Sequence, residues 1–248
     1  MADTIYIRVK RQDTRDGQSY WEDFEIPYRP RMNVISALME IQRTPVTAGG
    51  EKTTPVVWEC SCLEEVCGAC SMVINGQVRQ ACSALIDRLE QPITLEPMSK
   101  FPCIRDLMVD RARMFEALKR VHAWIEIDGT HNLGVGPKIA PNQQEIAYNF
   151  SRCMTCGCCV EACPNVNERS TFMGAFAIAQ AMLFSRHPTG VMQKEARLDG
   201  ILGEGGIADC GNAQNCEAVC PKDIPLTRAI AEAGWDTTKH AIKKVFKG

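Results

Sequence analysis

The stretch Cys153–Pro164, reading CMTCGCCVEACP, limits the fold more than any other part of the 248-residue chain. Four of its five cysteines, Cys153, Cys156, Cys159 and Cys163, keep the spacing Cys-x2-Cys-x2-Cys-x3-Cys-Pro. In the bacterial ferredoxin pattern three such thiolates close round one iron–sulfur cluster and the fourth reaches another. The run therefore demands further partners elsewhere in the chain. Zinc is the plainer reading of clustered cysteines, but its sites usually present separated Cys-x2-Cys pairs or mixed Cys/His sets. The spacing here suits a cuboidal cluster better.

The partners come in CGNAQNCEAVCP, residues 210–221. Cys210, Cys216 and Cys220 precede Pro221, and Ala213 stands where the first run has a middle cysteine. Under the crossed ligand rule Cys220 goes back to the first cluster and Cys163 forward to the second. The first cluster then has Cys153, Cys156, Cys159 and Cys220, a full set for 4Fe–4S. The second has only Cys163, Cys210 and Cys216. Alanine cannot ligate iron, so the corner at Ala213 is empty and a 3Fe–4S cluster is expected. Pro164 and Pro221 follow the two crossing cysteines, and their fixed φ and missing N–H stop the local helix.

A third set lies upstream in CSCLEEVCGACSMVINGQVRQAC, residues 60–82. Cys62, Cys67, Cys70 and the more distant Cys82 follow the plant-type 2Fe–2S spacing. Asn75-Gly76 between apolar arms is a strong hairpin signal. Counting outward from that turn pairs Val73 with Val78 and Cys70 with Ala81, which returns Cys82 to the loop carrying the other three thiols. Gly68 and Ala69 are small enough to let backbone amides approach the sulfurs, and such hydrogen bonds tune a cluster.

Around these sets the chain reads as α+β, then helical. Ile5–Lys10 and Glu22–Ile26 alternate as half-buried strands joined by a polar hairpin loop. Asn33 is placed to cap a helix through Val34, Leu38 and Ile41. Gln91–Pro97 reads as a closing strand. From Ile104 to Trp124 apolar residues recur near helical spacing, which predicts an amphipathic helix and a boundary between domains 1–103 and 104–248. Residues 127–141, with Gly129, Gly134, Gly136 and Pro137, read as a loop. Helices are predicted over Gln144–Ser151, Ser170–Ser185 and Gln193–Leu202. Cys60 and Cys103 read as buried structural thiols, Cys158 as unligated, and His122 and His131 as packing or surface residues.

The bulk properties narrow the function. With 45% hydrophobic and 23% charged residues the chain is globular, and a formal net charge of −2 gives no reason to expect nucleic acid. The start, MADTIYIRVK, lacks a signal-peptide core, and no apolar run reaches membrane-spanning length. A cytoplasmic site is expected, where thiols stay reduced and fourteen cysteines imply metal ligation. Lys239, Lys243, Lys244 and Lys247 near the end read as a solvated helix whose charges favour its dipole, with anionic headgroups or a membrane partner as the other reading. No nucleotide fingerprint or nucleophile–base pair is present. Three graded clusters in one chain describe a wire with partners at both ends.

The order of these motifs, together with FEIPYRP, NVISALMEI, CLEEVCGACSMVING, CMTCGCCVEACPNVN and HPTG, resembles the iron–sulfur subunits of succinate:quinone oxidoreductases and quinol:fumarate reductases across the whole chain. Within that family it is similar to the menaquinone-type branch with a dihaem cytochrome b. The resemblance implies a β-grasp 2Fe–2S ferredoxin domain followed by an all-helical, bacterial-ferredoxin-like two-cluster domain. It implies a flavoprotein partner carrying FAD, where succinate becomes fumarate, and a membrane-anchor cytochrome b carrying haem, through which menaquinone is reached. Electrons would pass 2Fe–2S, 4Fe–4S and 3Fe–4S in turn, with the subunit peripheral on the cytoplasmic side of the membrane. In ubiquinone-using relatives the quinone site takes the proline matched by Pro164, a tryptophan and a histidine. Here Val166, Asn167 and Glu168 stand near the tryptophan's place, Gly211 replaces the histidine, and Leu63 replaces an arginine of the first cluster loop. Fumarate reduction, a thiol-dependent fumarate reductase, a soluble multi-cluster ferredoxin and a zinc protein are the competing readings.

Overall fold

Alternation of apolar and polar side chains over Thr4–Arg11 produces the first strand, β1, whose Ile5, Ile7 and Val9 are buried. It pairs antiparallel with β2, Tyr20–Pro27, across the expected polar loop. The computed structural model describes residues 4–126 and 138–247. Most of the expected loop at 127–141, with its glycines and Pro137, and His131 lie outside the described residues. By compactness the chain divides into Met1–Arg111 with Met154–Glu161, and Ala112–Cys153 with Ala162–Gly248.

In the first unit, helix α1 spans Val34–Arg43 and turns Val34, Ile35, Ala37, Leu38 and Ile41 into the core. The Asn33 side-chain oxygen accepts from the Ser36 N–H at 2.8 Å, a cap worth about 1 kcal/mol. Its amide nitrogen also donates to the Cys82 carbonyl at 2.8 Å, tying the helix start to a candidate cluster thiol. Strands β3, Ser71–Ile74, and β4, Gln77–Gln80, meet in the expected register through Asn75 and Gly76, both at positive φ. That backbone is what a tight two-residue hairpin turn requires. Strand β5, Ile93–Glu96, inserts between β1 and β3, parallel to the former and antiparallel to the latter. The sheet order is β2-β1-β5-β3-β4, and with α1 against one face this is a β-grasp arrangement.

The predicted helix from Ile104 is corrected. Residues Cys103–Arg105 and Met108–Val109 form a small antiparallel pair, β6 and β7, and helix α2 covers only Ala112–Arg120. The turn between β6 and β7 carries Asp106, fully buried, with φ of 47°. Its carboxylate accepts from the equally buried Arg11 guanidinium and from the N–H groups of Gln12 and Val57. A long-range ion pair thus overrides a local helical pattern.

In the second unit helix α3 spans Pro141–Ser151, with proline at its first turn. The short helix α4, Cys158–Glu161, belongs to the first unit. Helix α5 begins at Ala175, not Ser170, and ends at Arg186. Gly174 holds φ of 92°, and the Met173 N–H is already bonded to the Gly205 carbonyl, so the helix cannot extend backwards. Helix α6, Lys194–Leu202, and the four-residue α7, Asn215–Ala218, precede the long α8, Leu226–Lys247. Buried Arg197 donates to the carbonyls of His122, Gly190 and Trp124, binding the end of α2 to the turn before α6. On α8, Lys244 and His240 both meet Asp199, and Lys239 lies over the Trp235 ring. The Asp199 carboxyl is held below its ordinary range by Lys244 first, with His240 assisting, while burial opposes. Among the described residues, no helix is long and apolar enough to cross a membrane.

Candidate metal centres

The loop before β3 is shaped by its own amides. Leu63, Glu65 and Gly68 take positive φ values of 61°, 57° and 73°. Those conformations aim successive N–H groups inward. The N–H groups of Glu64, Val66 and Cys67 donate to the Cys62 sulfur at 3.4, 3.2 and 3.3 Å. The Ala69 N–H donates to Cys67, and the Glu65 N–H donates to Cys82 at 3.3 Å. Three amides lower the Cys62 thiol to about 7, favouring the thiolate that binds metal. Burial and the neighbouring Cys70 push Cys82 up to about 12, with the Glu65 amide opposing. Iron would take that proton's place. The donor chemistry fits a cluster held by Cys62, Cys67, Cys70 and Cys82, since amides directed at sulfur suit an anionic group.

Gly68 has a second task. A Cβ there would lie 2.7 Å from the Cys156 Cβ and 2.9 Å from its Cα. Gly68→Ala therefore combines a clash with a left-handed backbone costing roughly 1–2 kcal/mol for any other residue. The expected result is a reduced 2Fe–2S signal per protein by electron paramagnetic resonance (EPR), with the three-iron signal retained. Wild-type intensity in the variant would remove this loop constraint.

Cys60 is exposed, contrary to the buried thiol expected from the habits of free cysteine. It sits two places before Cys62 in the same irregular loop. Cys103 is half-buried, its thiol donating to the Asp106 carbonyl at 3.5 Å, and burial raises its pKa.

The central run divides between the units. Cys156 and Cys159 lie in Met154–Glu161 with the first, and Cys153 and Cys220 lie with the second. Thr155 and Gly157 at positive φ curl the segment. A hydrogen bond from the Cys158 thiol is the main influence bringing Cys156 down to about 7, with the Arg111 charge assisting. Cys158 itself is fully buried and its thiol is raised, through that same bond and through burial. In the second unit the Cys153 N–H bonds to the Phe150 carbonyl and the Cys220 N–H to that of Glu217.

Cys163, Cys210, Cys216 and Ala213 line one recess. Phe172, Ala175 and Ile230 form its apolar side. Asn212 and Gln214, at φ of 54° and 62°, fold the loop so that Ala213 shares the recess with the three thiols. Burial raises Cys216 to about 11, with the Glu217 amide opposing. Three thiols and one methyl suit a three-iron cluster. Gly211 is packed against the Asn165 side chain, at 2.9 Å from a built Cβ, so a larger residue there must displace it. Among the described residues no three Cys, His, Asp or Glu groups converge on a single-ion position.

Residues 6–116 match the 2Fe-2S iron-sulfur cluster binding domain family, and residues 149–224 match the 4Fe-4S dicluster domain family. Over 243 residues, 98% of this chain and 96% of the relative, the sequence is 60% identical to the succinate dehydrogenase iron-sulfur subunit of Bacillus subtilis. The chain belongs to the succinate dehydrogenase iron–sulfur subunit family. Like the other succinate dehydrogenase iron–sulfur subunits, it transfers electrons within an oxidoreductase complex. The fumarate reductase iron-sulfur subunit of Wolinella succinogenes is more distant, 29% identical over 93% of this chain and 96% of its own. A chain of the Mycobacterium smegmatis Sdh1 complex in the apo form shares the fold, with a TM-score of 0.77 at 22% identity over 96% of this chain and 97% of that one. The expected α+β class, a 2Fe–2S ferredoxin domain followed by a dicluster domain, is the fold observed.

Sequence reasoning missed Ser71, Gln80 and Arg111, which surround the cysteines without ligating. For Ser71 and Gln80 the one signal was hairpin register, which pairs them, and Arg111 left none.

Proposed function

We propose that Cys62, Cys67, Cys70 and Cys82 hold a 2Fe–2S cluster, Cys153, Cys156, Cys159 and Cys220 a 4Fe–4S cluster, and Cys163, Cys210 and Cys216 a 3Fe–4S cluster. Residues 1–103 carry the first and residues 104–248 the other two. When bound, the clusters supply a one-electron relay between a two-electron dicarboxylate oxidation and quinone. The chain's own residues fix the ligand sets, deny a fourth ligand at Ala213, and surround the first cluster with amide donors.

The single observation that carries this reading is the recess in which three thiols and Ala213 meet. The partners are a flavoprotein with FAD, which performs the succinate chemistry, and a membrane cytochrome b with haem. Menaquinone binds in the anchor. Gly211 against Asn165 and the buried Val166 support this, since neither offers the histidine or tryptophan of a ubiquinone pocket beside Pro164. The subunit is peripheral on the cytoplasmic face. Succinate oxidation is favoured by the 60% identity to a succinate dehydrogenase subunit against 29% to a fumarate reductase subunit.

Affinity purification of the native complex tests the reading. A flavoprotein and a b-type cytochrome should copurify, the oxidised complex should show a three-iron EPR signal, and reduction should bring up a 2Fe–2S signal. A monomeric carrier without these partners, or zinc in place of iron, would overturn it.

A further inference from the structure

Beside the first candidate cluster lies a buried polar pocket that the ligand assignments do not use. Gln80, at the end of β4, is 0% exposed, and its cross-strand neighbour Ser71 is 3% exposed. The Gln80 carbonyl oxygen accepts from the Cys70 thiol at 3.5 Å. Its amide nitrogen donates to the Ser71 hydroxyl at 2.7 Å and to the Cys158 sulfur at 3.4 Å. The single Ser71 hydroxyl proton is shared between the carbonyls of Gly68 and Cys156, at 3.0 and 2.8 Å.

This arrangement suits a protonated Cys70. A Cys70 that ligates iron has lost its S–H and can only accept. The carbonyl of Gln80 would then face a thiolate, two acceptors in a dry pocket, which is costly. Turning the amide over exchanges its oxygen and nitrogen, which nearly coincide in shape. The N–H then points at Cys70 and the oxygen at Ser71, whose hydroxyl has a proton to give. The carbonyls of Gly68 and Cys156 keep a donor, because Arg111 already reaches them at 2.6 and 3.3 Å. The turned amide takes its N–H from the Cys158 sulfur, which keeps its contact with the Ser71 oxygen at 4.0 Å.

We propose that Gln80 is a positioning residue of the 2Fe–2S site, donating its side-chain N–H to the Cys70 thiolate and held in that orientation by the Ser71 hydroxyl, with Arg111 taking over the carbonyls that Ser71 releases. The proposal rests on the assignment of Cys70 as a ligand. A reduced cluster carries one more negative charge than an oxidised one, so a donor to its sulfur stabilises the reduced form and raises the potential.

The test is a potentiometric EPR titration of the purified complex carrying Gln80→Met or Gln80→Glu, with the three-iron signal as internal reference. Methionine keeps the length and removes the donor, and the 2Fe–2S midpoint should shift downward while the three-iron midpoint stays in place. An ionised Gln80→Glu should shift it at least as far. Ser71→Ala, which frees the amide to turn back, should shift it less than Gln80→Met. A 2Fe–2S midpoint unchanged in Gln80→Met, with the signal at full intensity, would overturn the role of Gln80. If Gln80→Met does not assemble, Ser71→Ala decides, and an unmoved midpoint there overturns the proposal. Absence of any 2Fe–2S signal from the wild-type complex would instead overturn the ligand assignment.

Discussion

Ala213→Cys should abolish the EPR signal of the oxidised three-iron cluster and replace it with a four-iron signal that appears only on reduction. Ala213 shares its recess with Cys163, Cys210 and Cys216, and it stands where the first cysteine run has its middle cysteine. A thiolate at that position supplies the ligand a fourth iron needs. The substitution adds one sulfur at an exposed position, so folding should be little affected. The 2Fe–2S signal should be unchanged, because its candidate thiols lie in the first unit. Succinate–quinone activity should fall sharply, since changing the cluster type changes the potential of the relay's exit. Retention of the three-iron signal at full intensity would mean that residue 213 does not face the cluster.

The largest expected loss of stability comes from Asp106→Ala. Arg11 and Asp106 are both completely buried and meet through two hydrogen bonds, at 2.8 and 3.3 Å. Burial works against the Arg11 charge, yet Asp106, and then Glu22, raise its pKa overall. Removing the Asp106 carboxylate leaves a guanidinium in the interior with Glu22 and Thr54 beside it. It also strips the acceptor from the N–H groups of Gln12 and Val57. Breaking one side of a buried pair typically costs about 3–5 kcal/mol. Urea unfolding of the subunit, or the thermal inactivation rate of the complex, measures it. The double variant Arg11→Met with Asp106→Leu should recover most of the loss, because no unpaired charge remains. A loss below about 1 kcal/mol in Asp106→Ala would place the pair among ordinary surface bridges.

That same pair explains where sequence reading stopped. The hairpin at Asn75-Gly76, the cap at Asn33 and the alternation in β1 and β2 are local signals, and each produced its element. Ile104–Trp124 carries an equally good local pattern, but Asp106 is taken by an arginine at the far end of the unit's sequence, which no window of neighbouring residues contains. Gly174 acts similarly on α5, through a backbone bond from Met173 to Gly205. At the candidate centres the thiols could be picked out by spacing because metal ligation imposes spacing. Gln80 could not, because a hydrogen-bond donor needs only to arrive, and any strand can deliver it. Cys60 is exposed where burial was expected, because the burial habit of free cysteine is an average over many sites and fixes no single one.

The first compact unit is not finished at Arg111. It includes Met154–Glu161, whose Glu161 carboxylate accepts from Ser99 and the Lys100 N–H, and whose Gly157 lies against Phe101 and Met98. Synthesis is vectorial, so an emerging chain that has reached Arg111 still lacks this piece. At ribosomal rates the delay before Glu161 appears is on the order of seconds. During that interval Arg111 lacks the Cys156 carbonyl to which it later donates. Completion of the first compact unit therefore waits on a segment made about fifty residues later.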